Sequence, residues 1–399
     1  MTAAATKAEQ PAGTVVFIQY MRGIAPVLVV WAHLSGFWLY AHPGRTWRVQ
    51  TDWAYYLATP LGLFQNAGHL GVVLFFFVSG YIVSMASSRE TVRSFATRRV
   101  FRLAPALWLA LLIVALSRYI DHSITHSYPT GTGGGTVTSY VGAGFLADMI
   151  GGTTQINAVT WTLVVEVMFY LLVGVSIPLS RRRPALSTVA MLLAWAALAL
   201  GFNHFSSTRH LDAFTVYGWL LLLGRAFYLT HHQLVSPRVG LALSAVITVV
   251  GVAVYQHCLP ELLDMAGGPA NSYLLGALIF LAFMYAAPRR IPWPVRKLSD
   301  ISYSLYLLHI PVGMLVIDLV IHAGGSFSWA FSLGVVASLL AATLSYHAIE
   351  KPALRAGRQL TSGARRRFAA RATLGNTGLP AEPRAVEVLV PTLRDASPD

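Results

Sequence analysis

Residues 16–39 read Val16-Phe17-Ile18-Gln19-Tyr20-Met21-Arg22-Gly23-Ile24-Ala25-Pro26-Val27-Leu28-Val29-Val30-Trp31-Ala32-His33-Leu34-Ser35-Gly36-Phe37-Trp38-Leu39. As a helix rising about 1.5 Å per residue, this stretch reaches across a hydrocarbon core of about 30 Å. Arg22 and His33 interrupt an otherwise apolar run. Eleven steps of about 100° come to roughly 1100°, about 20° past three full turns, so the two side chains share a face about 16 Å apart along the axis. Ionisable groups at membrane depth are costly and mark functional sites by default. The alternative is a snorkelling arginine and a histidine that only bonds a neighbouring helix.

Segments of this kind fill the chain. Of 399 residues, 55% are hydrophobic and 11% charged, with mean hydropathy +0.58. A soluble domain carries about 25% charge, so the composition gives an all-α polytopic membrane protein. Ten spans are expected, at about 16–39, 69–87, 103–120, 159–179, 185–204, 211–230, 239–258, 271–287, 299–322 and 328–348. The first reads as a retained helix rather than a signal segment. The segment 141–156, with Gly151-Gly152, is semi-apolar and re-entrant or interfacial in character. The formal charge is +13, and its bases punctuate alternate connections. One side holds Arg89, Arg93, Arg98, Arg99 and Arg102, then Arg181-Arg182-Arg183, Arg225 and Arg238, and Arg289, Arg290, Arg296 and Lys297. The other holds only Arg45, Arg48, Arg118 and Arg209. The positive-inside rule places the first side, and both termini, in the cytoplasm. Residues 1–14 read as a disordered N-terminus, 15–355 as the membrane domain, and 356–399 as a basic, mostly disordered cytoplasmic tail. Two long outer loops, about 40–68 and 121–158, either cover an outward-facing acceptor site or simply connect helices.

Four further motifs carry polar chemistry. In Gly71-Val72-Val73-Leu74-Phe75-Phe76-Phe77-Val78-Ser79-Gly80-Tyr81, the small pair Ser79-Gly80 allows close helix approach; a serine nucleophile lacks an elbow motif there. In Arg98-Arg99-Val100-Phe101-Arg102, Arg99 and Arg102 share a helical face. They either set topology or clamp a phosphate of a cytosolic donor such as a CoA thioester. Glu166, in Trp161-Thr162-Leu163-Val164-Val165-Glu166, is an acid inside an apolar helix that must pair, protonate or react. Ser302, Tyr306 and His309 have helical spacing and form a polar stripe facing protein or a pore, and Pro311 frees carbonyls beside it. Glu350-Lys351 reads as a helix terminus and anchor, and His231-His232 as solvated. The single cysteine, Cys258, excludes an intrachain disulfide. No metal, nucleotide-loop or dinucleotide motif is present.

Taken together, Arg22-Gly23-Ile24-Ala25 with His33, the Gly71–Gly80 run, Arg98 to Pro105, Trp161 to Tyr170, Ser302 to His309 and Tyr346 to Pro352 resemble the acyltransferase-3 family of integral membrane acyltransferases. The resemblance covers about residues 17–355. It implies about ten helices and transfer of an acyl group from cytoplasmic acyl-CoA to a hydroxyl of a glycan, a lipid-linked sugar or a natural product such as a macrolide, in the cell membrane. The family's arginine–histidine motif falls on Arg22 and His33, its basic pair on Arg99 and Arg102, and its Trp-Ser-Leu-x-x-Glu pattern on Trp161, Leu163 and Glu166, with Thr162 in place of Ser. The resulting expectation makes acyl-CoA a co-substrate with no bound cofactor or metal. Arg99, Arg102 and Arg98 hold the donor; His33 is the general base, with Glu166 orienting it and Arg22 assisting. The rival is a proton-coupled transporter or flippase, with His33, Glu166 and His309 as a relay.

Overall fold

The structure, a computed structural model, describes residues 12–150, 155–204, 215–260, 268–288 and 290–374. It is almost entirely helical. Ten long helices occupy the ten expected stretches: α1 Val16–Ala41, α2 Gly68–Ser87, α3 Val92–Thr125, α4 Trp161–Arg182, α5 Pro184–His204, α6 Gly218–His231, α7 Pro237–Cys258, α8 Ala270–Ala286, α9 Trp293–His322 and α10 Phe327–Ser345. Eight of these segments are long and apolar enough to cross a membrane; α6, with 14 residues, and α8, with 17, are shorter. Arg209, Arg289, Gly151-Gly152 and the tail beyond residue 374 lie outside the described residues. So do residues 1–11 of the stretch expected to be a disordered N-terminus.

Local chemistry sets several boundaries. The Thr91 hydroxyl accepts from the Ser94 amide at 3.3 Å, which starts α3 eleven residues before the apolar run expected at 103. Arg93, Arg98, Arg99 and Arg102 therefore sit on a helix, not in a loop. Ser236 caps α7 in the same way, with Pro237 at its first position. Beyond α10 a π-helical turn, Tyr346–Glu350, leads into a further helix, Lys351–Leu374. The start of the stretch expected to be disordered is thus helical; Ala, Leu, Arg and Gln are strong helix formers.

Helix α2 lies at the centre, packed on α1, α6 and α8. Its contact with α6 depends on absent side chains. A Cβ on Gly80 would stand 2.0 Å from the Leu221 carbonyl oxygen, and one on Gly224 would stand 2.3 Å from that of Phe77. The expected role of Ser79-Gly80 in close approach is therefore met. Helix α1 packs on α9 as well as on α2. Both α1 and α9 contain a π-helical turn, Ala32–Phe37 and His309–Met314, and these two turns touch. Such bulges re-aim side chains by inserting one residue and are frequent at functional sites.

Arg225, read from sequence as loop punctuation, is interior. It is 1% exposed and is held by hydroxyls: Nε donates to Thr188 at 2.9 Å and Nη2 to Ser180 at 2.9 Å. His231 and His232 are not simply solvated, because Tyr81 Oη lies 2.6 Å from His231 Nδ1 and 3.1 Å from His232 Nε2.

Candidate active site

The two π turns bring His33 and His309 together. His33 Nδ1 lies 2.8 Å from His309 Nε2, and the rings stack with centroids 5.1 Å apart. The other nitrogen of His309, Nδ1, lies 3.0 Å from the Leu305 carbonyl oxygen. A carbonyl can only accept, so His309 Nδ1 carries a proton. With both rings neutral, His309 Nε2 then accepts from His33 Nδ1, and the lone pair of His33 is left on Nε2. His309 is fully buried and His33 half-buried. This hydrogen-bond chain fixes the tautomer of a base, the function that the third member of a catalytic triad performs.

Glu166 does not fill that position. Its Oε1 accepts from the Ser79 hydroxyl and, at 2.5 Å, from the Tyr170 hydroxyl. Among the described residues it makes no hydrogen bond to His33. The expected His33–Glu166 pairing is corrected to His33–His309. Sequence spacing could not reveal this, because the contact joins residues 276 positions apart through an irregular turn in each helix. Ser79, in turn, is tied up as a donor to Glu166.

The polar stripe of α9 is a set of interhelical ties rather than a bare pore lining. Ser302 accepts from Arg22 Nη2 at 3.0 Å. Tyr306 Oη lies 2.7 Å from Thr162 Oγ1 and donates to the Val159 carbonyl at 3.1 Å. His309 holds His33. Further along the same helix Asp318, which sequence reading did not single out, accepts from Trp38 Nε1 at 2.6 Å.

Arg22, Arg99 and Arg102, spread over about 80 positions of sequence, come together in one basic cluster. The Arg99 guanidinium lies over the rings of Phe95 and Tyr170, 5.1 and 5.6 Å from their centroids; that of Arg102 lies 5.8 Å from the ring centroid of Tyr303. Arg22 and Arg102 interact electrostatically with each other and with Glu350, and Arg102 also with Glu166. Yet none of the three forms an ion pair within 4.0 Å among the described residues, and the buried Arg99 Nε has no hydrogen-bond partner. Arg98 is occupied differently, with Nη1 2.7 Å from Glu90 Oε1.

Glu350 is the residue that sequence reading misplaced. It is 2% exposed, turned inward at the end of its π turn, and accepts from Ser304 Oγ at 2.8 Å. A terminal position before Lys351-Pro352 hid an interior carboxylate, because the extra residue of a π turn rotates the face that a regular helix would present.

The arrangement thus has three guanidinium groups without an ion-pair partner among the described residues at the basic end of the bundle, and an imidazole oriented by a hydrogen-bond chain further along the same helix as Arg22. An acyltransferase domain model matches residues 15–347. The chain belongs to the acyltransferase-3 family. Among curated relatives, an O-acetyl transferase of Shigella phage Sf6 is 26% identical, over 72% of this chain and 85% of that protein. Nodulation protein 10 of Rhizobium leguminosarum bv. viciae is 22% identical, over 71% and 82%. The exopolysaccharide production protein ExoZ of Rhizobium meliloti is 28% identical, over 77% and 97%. No solved structure matches the chain. The family and the apolar helices together make this a multi-pass membrane acyltransferase.

Proposed function

We propose that the protein is an O-acyltransferase of the cell membrane that moves a short acyl group from cytoplasmic acyl-CoA to a hydroxyl of a sugar, glycan or comparable natural product. The single observation that carries the mechanism is the hydrogen-bond chain from the Leu305 carbonyl through His309 to His33. It leaves His33 Nε2 as the acceptor of a hydroxyl proton. The relatives' names support an oxygen acceptor and a saccharide setting.

In this reading the basic end faces the cytoplasm, following the distribution of arginines. Arg22, Arg99 and Arg102 bind the phosphates of the donor, whose charge-assisted hydrogen bonds supply the anionic partners that these guanidinium groups lack among the described residues. The thioester arm extends along α1 toward His33. His33 Nε2 removes the acceptor's proton as its oxygen attacks the thioester carbonyl; the carbon–sulfur bond breaks, and the leaving CoA thiolate takes that proton from His33 Nε2, which returns the imidazole to its neutral form. His309 stabilises the imidazolium by accepting from its Nδ1–H, while its own Nδ1–H stays on Leu305. No enzyme-bound acyl group is required. Glu166 and Glu350 set the field around the arginines rather than acting on His33.

The test is transfer from labelled acetyl-CoA to methyl glycosides by purified protein in detergent, with no ion gradient. Labelled ester product supports the reading. Acetyl-CoA binding without any ester product contradicts it, and ion-coupled glycan movement in vesicles without transfer would favour the transporter.

A further inference from the structure

The carbonyl of Leu307 is left without its helical partner, because the residue four positions on is Pro311, which has no N–H. It is not left unsatisfied. Asn157 Nδ2 donates to it at 3.0 Å, and Asn157 is fully buried. This contact falls between two turns that matter. Leu305 and His309, joined by the ring hydrogen bond at 3.0 Å, flank Leu307 on α9. On the other side Asn157 belongs to a loop folded against the glycine-rich turn. The Gly133 amide donates to the Ile156 carbonyl at 2.9 Å, the Ala158 amide donates to the Gly131 carbonyl at 3.0 Å, and Thr132 and Asn157 form an isolated antiparallel bridge.

That glycine turn lies beside the histidines. Gly131 has φ +78°, a conformation suited to glycine, and a Cβ there would meet Phe37 at 3.0 Å and Ile310 at 3.2 Å. Phe37 packs on His33, with ring centroids 6.0 Å apart, and Ile310 follows His309. Arg118 holds the turn: its Nη1 donates to the Thr132 carbonyl at 2.7 Å, and its guanidinium lies 3.9 Å from the ring centroid of Tyr128.

We propose that Asn157 is a positioning residue for acyl transfer: by donating to the Leu307 carbonyl that Pro311 leaves free, it fixes the turn of α9 that aims His309 at His33, and it binds that turn to the loop covering the histidine pair. This rests on the proposed role of His33. Asn157 does not touch reacting atoms; it acts through His309. Its amide is suited to the task because the nitrogen serves Leu307 while Oδ1 accepts from the Val159 amide at 3.4 Å, so one side chain links both segments.

The experiment is a double-substitution cycle of Asn157→Ala and Pro311→Ala in purified full-length protein, read by Tm in detergent and by kcat and KM for acetyl-CoA. Alanine at 311 restores an N–H for Leu307 and makes the amide of Asn157 redundant there. Asn157→Ala alone is expected to lower Tm and to lower kcat about tenfold or more with KM for acetyl-CoA within twofold, the size expected when one orienting hydrogen bond is lost. In the Pro311→Ala background the same substitution should change Tm and kcat much less. Asn157→Asp keeps the oxygen facing Val159 and removes the donor as a carboxylate; it gives the same comparison if the alanine variant fails to fold. Additive losses in the cycle overturn the tie. A coupled Tm cycle with unchanged kcat overturns the positioning role. Absence of transfer by the unsubstituted protein counts against the acyltransferase mechanism instead, and the Tm cycle still decides the tie.

Discussion

His33 Nδ1 and His309 Nε2 stand 2.8 Å apart, each on a π-helical turn of a different helix. The second nitrogen of His309 is committed to a backbone carbonyl, so the direction of every proton in the chain is set by one acceptor that cannot donate. That direction leaves His33 Nε2 basic, and it makes His309 a part of the site in its own right.

The partner of His33 needs an acceptor atom, not a charge. His309→Gln retains an amide oxygen that can accept from His33 Nδ1, whereas His309→Ala retains nothing. Transfer from acetyl-CoA should fall about 10- to 100-fold in the alanine variant, the size of the loss when the partner that orients a metal-bound histidine is removed. The glutamine variant should keep a larger share of the activity. Equal losses would show that the ring, and not its acceptor, is what matters.

Arg99 and Arg102 should act on donor affinity. Each charge-assisted hydrogen bond contributes about 1.5–3 kcal/mol, so Arg102→Ala is expected to raise the Kd for CoA by about tenfold or more in calorimetric titration. Arg98, already paired with Glu90, should be replaceable by alanine with little change in Kd. The Kd should also rise with added salt, as expected for partly exposed guanidinium groups.

Glu166 accepts two buried hydroxyls, from Ser79 and Tyr170. Glu166→Gln keeps an oxygen for both. Glu166→Leu strands both donors, at about 1–3 kcal/mol each, and should lower Tm markedly more than the glutamine variant does. Because Glu166 is not hydrogen-bonded to His33 among the described residues, the acid limb of the pH–kcat profile should stay in place in Glu166→Gln. A displaced limb would restore the carboxylate to the role of orienter.

The central packing gives a stability prediction without reference to chemistry. Gly224→Ala places a methyl group against the backbone of α2, where nothing flexible can yield; overpacking of this kind costs about 1–3 kcal/mol or more. Gly201→Ala, on α5, meets nothing within 4 Å. Thermal denaturation in detergent should separate the two clearly.

The helical architecture was legible in the sequence because a membrane helix announces itself by length and apolarity. Arg22, His33, Glu166 and His309 stood out because charge and imidazole are conspicuous in such segments. What could not be read was their pairing. Shared depth pairs His33 with Glu166, but depth does not fix rotation about the helix axis, and each π turn adds a residue that rotates everything after it. Glu350 reads as a helix terminus and anchor for the same reason. Asn157 gave no signal at all, because an asparagine in a glycine-rich connection looks like turn chemistry until the carbonyl freed by Pro311 is found within 3.0 Å of its amide. Pro311 itself was the clue, since it was expected to free a carbonyl that something must satisfy.

The most direct measurement of the account is acyl transfer by His33→Gln, with acetyl-CoA as donor and methyl glycosides as acceptors, alongside the Kd for CoA on the same preparation. Loss of a general base typically lowers the rate by about 10²–10⁴. The predicted result is a loss of at least about 100-fold in transfer with Kd for CoA unchanged. Undiminished transfer by a folded His33→Gln protein would contradict it.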